Sequence, residues 1–201
     1  MITNWGYSID ELGEILTPQE FFEMTGGRYA GDQRIQPLLD AAQTAVRNYC
    51  GWHVYPAAQC TLTDRAHDLR LIYSGADTII QLPARFISAV DSVTMGGHEV
   101  TDYSFDTNGL LRIYDEIPCS RKAVISVVYT AGLPDELASA VKELIGHRVT
   151  HGLAQSYGVQ SEAAGGVSIT YSANWINSAR ATALPDDNRE VLTPYRLQGV
   201  F

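Results

Sequence analysis

The chain has 201 residues, a formal net charge of −9, a hydrophobic fraction of 45% and a charged fraction of 18%. These values are typical of a soluble globular protein, and the excess of negative charge disfavours attraction to a phosphate backbone as the main function. No apolar run approaches the roughly 20 residues that cross a bilayer, and the start lacks the regions of a secretion signal, so no membrane association is predicted.

The N-terminal part combines acidic residues with two helix signals. Residues 1–31 hold five acidic side chains against one arginine, and residues 1–16 are expected to form a loose acidic lead. The motif Thr17-Pro18-Gln19-Glu20 is a capping box and predicts a short helix from Thr17, which Gly26-Gly27 ends. A longer helix is predicted from Asp32 to Tyr49, where apolar residues recur at helical spacing, and Gly51 follows it as a helix terminator.

From Gln59 to Tyr129 the apolar pattern changes to the alternation typical of strands. Gly96-Gly97 and Asp106-Thr107-Asn108-Gly109 are predicted turns between short strands. Short links favour antiparallel pairing, because parallel strands need longer crossover connections. This segment is therefore predicted to form an antiparallel β-meander.

Helical periodicity resumes after Pro134, where Asp135 and Glu136 favour a helix N-terminus. This helix is predicted to end near Gly152 and to pack against the Asp32–Tyr49 helix, because each has one apolar face. The elements together predict an α+β fold with a mainly α-helical core of two long packed helices plus a short one.

The predicted organisation places this core at residues 1–157, with the β-meander inserted at about residues 59–131. Residues 158–201 are expected to form an extended C-terminal arm with one short strand and a terminal helical turn. Terminal segments fray unless something ties them down, yet this one keeps large apolar side chains to its end. A docking role is therefore expected for the arm, and a chain ending after Thr193 is expected to fold but not to dock.

The strongest candidate for chemistry is a metal site on the last predicted helix. Glu143, His147 and His151 follow at intervals of four, a spacing that can present metal ligands on one helical face. A polar stripe at the end of a packed helix explains the same pattern. Motifs for nucleotide binding or hydrolysis are absent, so we predict no catalytic residue, no metal site and no cofactor, with a metal-dependent hydrolase as the enzymatic alternative.

Other polar clusters carry weaker signals. One loop combines Asp64, His67 and Asp68, a composition that is common without catalysis. The sole adjacent basic pair, Arg121-Lys122, precedes a strand, and no DNA-binding residue is predicted. The three cysteines fit no zinc motif and predict buried free thiols, with one disulfide plus a spare thiol as the alternative: Cys50, Cys60 and Cys119.

Four segments resemble those of the head–tail connector (adaptor) proteins of long-tailed bacteriophages. They are the helix from Asp32 to Trp52, the stretch Leu82–Val93, the stretch Val127–Pro134 that leads into a helix, and Leu192–Arg196. Each is a structural joint rather than an active-site motif, and together they span most of residues 30–200.

The resemblance implies a non-catalytic virion protein of the neck, in which about twelve copies form a closed ring beneath the portal protein. Such a ring extends the DNA channel without specific DNA binding and offers a surface to a head-closure or tail-completion protein. A terminal arm that grips the portal is also implied, and it carries over to Tyr195, Arg196, Leu197, Val200 and Phe201. The alternative is a head-closure or tail-completion protein further down the neck.

Overall fold

A computed structural model describes residues 5–65, 69, 71–74, 77–114, 123–154, 161–164, 167–170, 184 and 186–197. The chain forms two compact units. Unit 1 comprises Met1–Gly13, Cys50–Ala138 and Tyr195–Phe201, and unit 2 comprises Glu14–Tyr49 and Ser139–Pro194. The predicted boundary near residue 157 lies outside the described residues and stays a prediction.

Unit 1 is built on two antiparallel sheets. Its strands are β1 (Ser8–Ile9), β2 (Ala58–Arg65), β3 (Leu71–Ser74), β4 (Asp77–Gln81), β5 (Ile87–Met95), β6 (His98–Glu99), β7 (Tyr103–Phe105), β8 (Leu110–Ile113) and β9 (Val124–Ala131). The first sheet has the order β1-β2-β9-β5-β6, and the second has the order β3-β4-β8-β7. Gly96-Gly97 forms the predicted turn and pairs Met95 with His98.

Strand β9 supplies the centre of the first sheet, because it pairs with β2 over its full length and with β5 on its other side. Alternate residues of β9 are fully buried, namely Ile125, Val127, Tyr129 and Ala131. This period of two is what a strand with one face in the core requires. The core of unit 1 therefore rests on strands that are distant from one another in the sequence.

Unit 2 is mainly helical. It contains α1 (Pro18–Met24), most of α2 (Ile35–Cys50) and α3 (Asp135–Ala154), a hairpin of β10 (Ser161–Ala164) and β11 (Val167–Thr170), and α4 (Asp186–Leu192). The predicted capping box is present: the Glu20 N–H donates to Thr17 Oγ1 at 3.2 Å, and the Thr17 N–H donates to Glu20 Oε2 at 2.9 Å. Lys142 Nζ on α3 donates to Glu20 Oε1 at 2.6 Å and so ties α1 to α3. Partial burial acts to raise the pKa of Glu20, but the hydrogen bonds from Lys142 and Thr17 outweigh it and lower that pKa.

The predicted fold class, α+β with a mainly α-helical core of two long packed helices, is wrong. Helices α2 and α3 span 16 and 20 residues. In the described part of the chain, however, extended close contact between the backbones of two elements is found between paired strands and not between these helices. The described residues are rich in β-structure and include three antiparallel sheets. A regular apolar stripe identifies a helix but does not measure how much of the core that helix supplies, so the sequence pattern does not reveal how much of the core the strands supply.

Two further parts of that prediction are corrected. The strands do not form one inserted meander, because β9 lies between β2 and β5 while β4 pairs with β8 in a separate sheet. The C-terminal residues do not form an extended arm in the described region. Thr193–Tyr195 is a 3₁₀ turn, the Tyr195 carbonyl accepts a hydrogen bond from Trp52 Nε1, and the Leu197 N–H donates to the Cys50 carbonyl. Both corrections depend on contacts between residues far apart in the sequence.

The acidic lead is also not loose over residues 5–16. Tyr7 and Ile9 are buried in unit 1, where Ser8 and Ile9 pair with β2. In unit 2, Ile15 and Leu16 are fully buried. Two strand residues are too few to produce a readable alternation, so the sequence pattern did not reveal β1.

Among the described residues, no helix combines the length and the hydropathy needed to cross a lipid bilayer.

Candidate functional site

The predicted interface residues lie at the end of the described chain. Tyr195 closes the 3₁₀ turn and is half-buried, Arg196 is exposed, and Leu197 is half-buried. Val200 and Phe201 lie outside the described residues. The described part of this segment belongs to unit 1, where its backbone is held by residues from two other parts of the chain.

Three hydrogen bonds hold the backbone of this C-terminal segment. Trp52 Nε1 donates to the Tyr195 carbonyl at 2.7 Å, and the Leu197 N–H donates to the Cys50 carbonyl at 2.9 Å. Arg85 Nη1 donates to the Arg196 carbonyl at 3.3 Å. These bonds use main-chain atoms of the segment, so the Arg196 side chain stays exposed on a fixed backbone.

An aromatic cluster lies beside these hydrogen bonds. The fully buried Trp52 stacks on Phe86, with ring centroids 6.2 Å apart and planes at 15°. Phe86 in turn contacts Tyr195, again with 6.2 Å between centroids. The Arg85 guanidinium lies 5.8 Å from the centre of the Phe86 ring, within the range of a cation–π interaction.

Phe86 has a strained backbone. Its φ is +55°, a left-handed conformation that costs a residue other than glycine roughly 1 kcal/mol or more. Two main-chain hydrogen bonds maintain it: the Phe86 N–H donates to the Thr107 carbonyl at 2.6 Å, and the Gly132 N–H donates to the Phe86 carbonyl at 3.3 Å. Such strain persists where the surrounding structure fixes it and is concentrated at functional sites.

The cysteines of the described chain do not provide chemistry. Cys50 and Cys60 are free and buried, which confirms the prediction for these two thiols; Cys119 lies outside the described residues. Burial raises the pKa of Cys50 to about 12, although the charge of Arg196 acts in the opposite direction. Burial also raises the pKa of Cys60 to about 12, so both thiols are protonated at neutral pH and are poor nucleophiles.

Among the described residues, the other candidates for chemistry do not form a site. Glu143, His147 and His151 are all exposed on α3, and within the described ranges no three potential metal ligands come together. Asp64 lies on β2 and accepts a hydrogen bond from the Arg65 N–H at 2.7 Å. The remaining candidates, His67, Asp68, Arg121 and Lys122, lie outside the described residues.

Sequence reasoning missed three members of the C-terminal site: Trp52, Arg85 and Phe86. Trp52 and Tyr195 are 143 positions apart, and no local pattern reports such a contact. The available signal was compositional, since Arg85 and Phe86 form an arginine–aromatic pair of the kind enriched at interfaces.

The sequence matches the family model of the head completion protein (HCP) over residues 14–197. This range includes every described residue of the C-terminal site. Among curated proteins, none matches the chain. The family match confirms the resemblance to phage head–tail connector proteins, and it indicates a structural protein of the phage head and neck. The chain therefore belongs to the head completion protein family.

Proposed function

We propose that this head completion protein is a head–tail adaptor. In this role about twelve copies form a closed ring beneath the portal protein, extend its DNA channel and offer a docking surface to the next neck or tail protein. The observation that carries the proposal is the family match, which extends over nearly the whole chain from residue 14 to residue 197. It is a match to a structural assembly family, and the proposed role requires no catalysis.

The charge of the chain supports passage of DNA without retention. The formal net charge is −9, and like charge repels a phosphate backbone. A ring with an acidic wall would let DNA move through its channel without specific binding.

The C-terminal segment is the proposed contact with the portal. Hydrogen bonds to the main chain hold Tyr195, Arg196 and Leu197 in unit 1. Val200 and Phe201 follow them in the sequence. A segment fixed in this way loses little conformational freedom on binding. The free energy of binding to the portal then depends mainly on the side chains that the segment presents.

A head-closure or tail-completion protein further down the neck is the second candidate. The description of the family as head completion favours it, because completing the head includes closing it below the adaptor. The two candidates differ in the neighbour that each binds first.

Affinity capture with each neighbour distinguishes the candidates. The tagged protein is mixed separately with the portal protein and with the tail-side proteins of the same phage, at several salt concentrations, and the retained complexes are weighed by mass photometry. The adaptor proposal predicts a discrete complex of high mass with the portal. Retention by tail-side proteins alone would favour the second candidate, and retention by neither would contradict both.

A further inference from the structure

We propose that the portal-binding surface is composite and that it binds an acidic segment of the portal protein. The surface, named here the arginine platform, consists of Arg85, Phe86, Tyr195, Arg196 and Leu197. Arg85 and Phe86 come from the loop before β5, and the other three residues come from the C-terminal segment. This inference rests on the proposed function, to which it adds two residues and the chemistry of the partner.

The platform is already in place before any partner binds. Trp52, Arg85 and Cys50 fix the backbone of the C-terminal segment through hydrogen bonds of 2.7, 3.3 and 2.9 Å. Arg85 is itself positioned, because its Nη2 also donates to Asn108 Oδ1 at 3.1 Å. Such preorganisation lowers the entropic cost of association, so the geometry favours recognition by a preformed surface over folding of a free arm.

The composition of the platform is that of a binding hot spot. Tyrosine, tryptophan and arginine dominate the residues that carry most of the affinity at protein interfaces. Phe86 and Tyr195 are half-buried and their rings contact each other, while the fully buried Trp52 stacks on Phe86. A partner can therefore pack an apolar side chain against these rings and exclude water from the adjacent charged groups.

The charge of the platform indicates the chemistry of the partner. Two guanidinium-bearing residues meet there, because Arg85 Nη1 contacts the main chain of Arg196, in a chain whose formal net charge is −9. Arginine guanidinium groups attract carboxylates and bind them through charge-assisted hydrogen bonds. Arg85, whose Nη1 and Nη2 already donate within the chain, adds its positive charge to that of Arg196. The fitting occupant is a segment of the portal protein with carboxylates next to an apolar side chain.

A second copy of this chain is the competing occupant. Its N-terminal lead exposes Asp10, Glu11 and Leu12, which also combine carboxylates with an apolar side chain. We assign the platform to the portal because the C-terminal segment is the proposed portal contact. The experiment therefore also measures whether the protein associates with itself.

The test is a titration of the portal protein with the full-length protein and with two charge variants. Arg196→Glu reverses a charge on the platform, and Arg65→Glu reverses the charge of an exposed arginine on β2 of the same unit. Arg196→Glu is expected to raise the Kd for the portal by at least about tenfold, whereas Arg65→Glu changes it by less than about twofold. Binding of the wild-type protein should weaken as salt rises, because salt screens charges at an interface.

Arg196→Gln serves as a milder variant, and the thermal unfolding of every variant is compared with the wild type. Equal portal affinity of folded Arg196→Glu and wild-type protein would overturn the inference, and with it the place of Arg196 in the portal contact, but would leave the proposed adaptor role intact. Absence of wild-type binding would instead overturn the proposed function. If Arg196→Glu and the pair Asp10→Arg, Glu11→Arg both abolish self-association while portal binding persists, the occupant is a second copy and the inference is wrong.

Discussion

At the scale of single residues, His53 shows how the core of unit 1 accommodates a polar side chain. It is fully buried, its Nε2 lies 2.9 Å from the Ala131 carbonyl, and its Nδ1 lies 2.8 Å from Tyr7 Oη. The carbonyl can only accept, so Nε2 carries the proton and Nδ1 accepts from the Tyr7 hydroxyl. The His53 N–H completes the arrangement by donating to the same hydroxyl at 3.1 Å.

Removing that hydroxyl is expected to destabilise the protein. Tyr7→Phe leaves His53 Nδ1 and the His53 N–H without their hydroxyl partner, and a buried polar group that loses its partner costs about 1–3 kcal/mol. The measurement is the free energy of unfolding in urea. The control is Tyr114→Phe, which removes an exposed hydroxyl near Ser104 and should change stability by less than about 0.5 kcal/mol. Equal effects of the two variants would contradict the proposed hydrogen bonding.

For Tyr129, the same replacement of tyrosine by phenylalanine is expected to have a different effect on stability. Its hydroxyl is buried and, among the described residues, has no hydrogen-bond partner. Burial also raises the pKa of Tyr129, so the hydroxyl stays neutral. Tyr129→Phe therefore removes an unpaired polar group, and it is expected to leave stability unchanged or to raise it by up to about 1 kcal/mol. A loss as large as that of Tyr7→Phe would show that the hydroxyl has a partner.

At the scale of elements, the link from β9 to α3 depends on Gly132. Its φ is +153°, and a Cβ at this position would lie 2.6 Å from the Ala57 nitrogen and overlap the Ala57 backbone. Gly132→Ala is therefore expected to cost about 3 kcal/mol or more, measured by urea unfolding. Gly146→Ala on α3 is the control, because an added methyl there meets the flexible end of Met24 and, at an ordinary contact distance of 3.9 Å, Leu16 Cδ2. If both variants are equally stable, the close approach of Gly132 and Ala57 is wrong.

The C-terminal segment gives a second prediction at this scale. A chain that ends after Thr193 lacks the Tyr195 carbonyl, so the fully buried Trp52 indole loses its acceptor. The expected loss is about 1–3 kcal/mol, seen as a lower midpoint of urea unfolding. A chain that ends after Leu197 retains these contacts and should be more stable than the chain that ends after Thr193. Equal stability of both truncated chains would show that the segment is an independent arm, as the sequence pattern predicts.

Local chemistry explains which elements were predictable. The capping box of Thr17 and Glu20 and the turn at Gly96-Gly97 each depend on a few neighbouring residues. The position of β9 between β2 and β5 depends on pairs such as Leu62 with Val127, and local periodicity does not encode them. The same distinction applies to the candidate site. Tyr195 and its neighbours could be predicted from the resemblance to a family, whereas the contacts of Trp52 and Arg85 with them arise only in the folded chain.

At the scale of the whole molecule, the protein is an acidic member of an assembly family, and it carries a preformed surface that contains arginine. The family match extends from residue 14 to residue 197, so both compact units contribute to the shared architecture. Ring assembly then requires surfaces that meet heterologously and close upon themselves. Such closure is a property of many copies together and is measured only in the assembled state.

Electron microscopy of the portal protein mixed with this protein tests the central claim most directly. The account predicts a closed ring of added density on one face of the portal, coaxial with the channel and containing about twelve subunits. The same preparation without the portal provides the comparison. Portal particles that show no added density, or density away from the channel axis, would contradict the account.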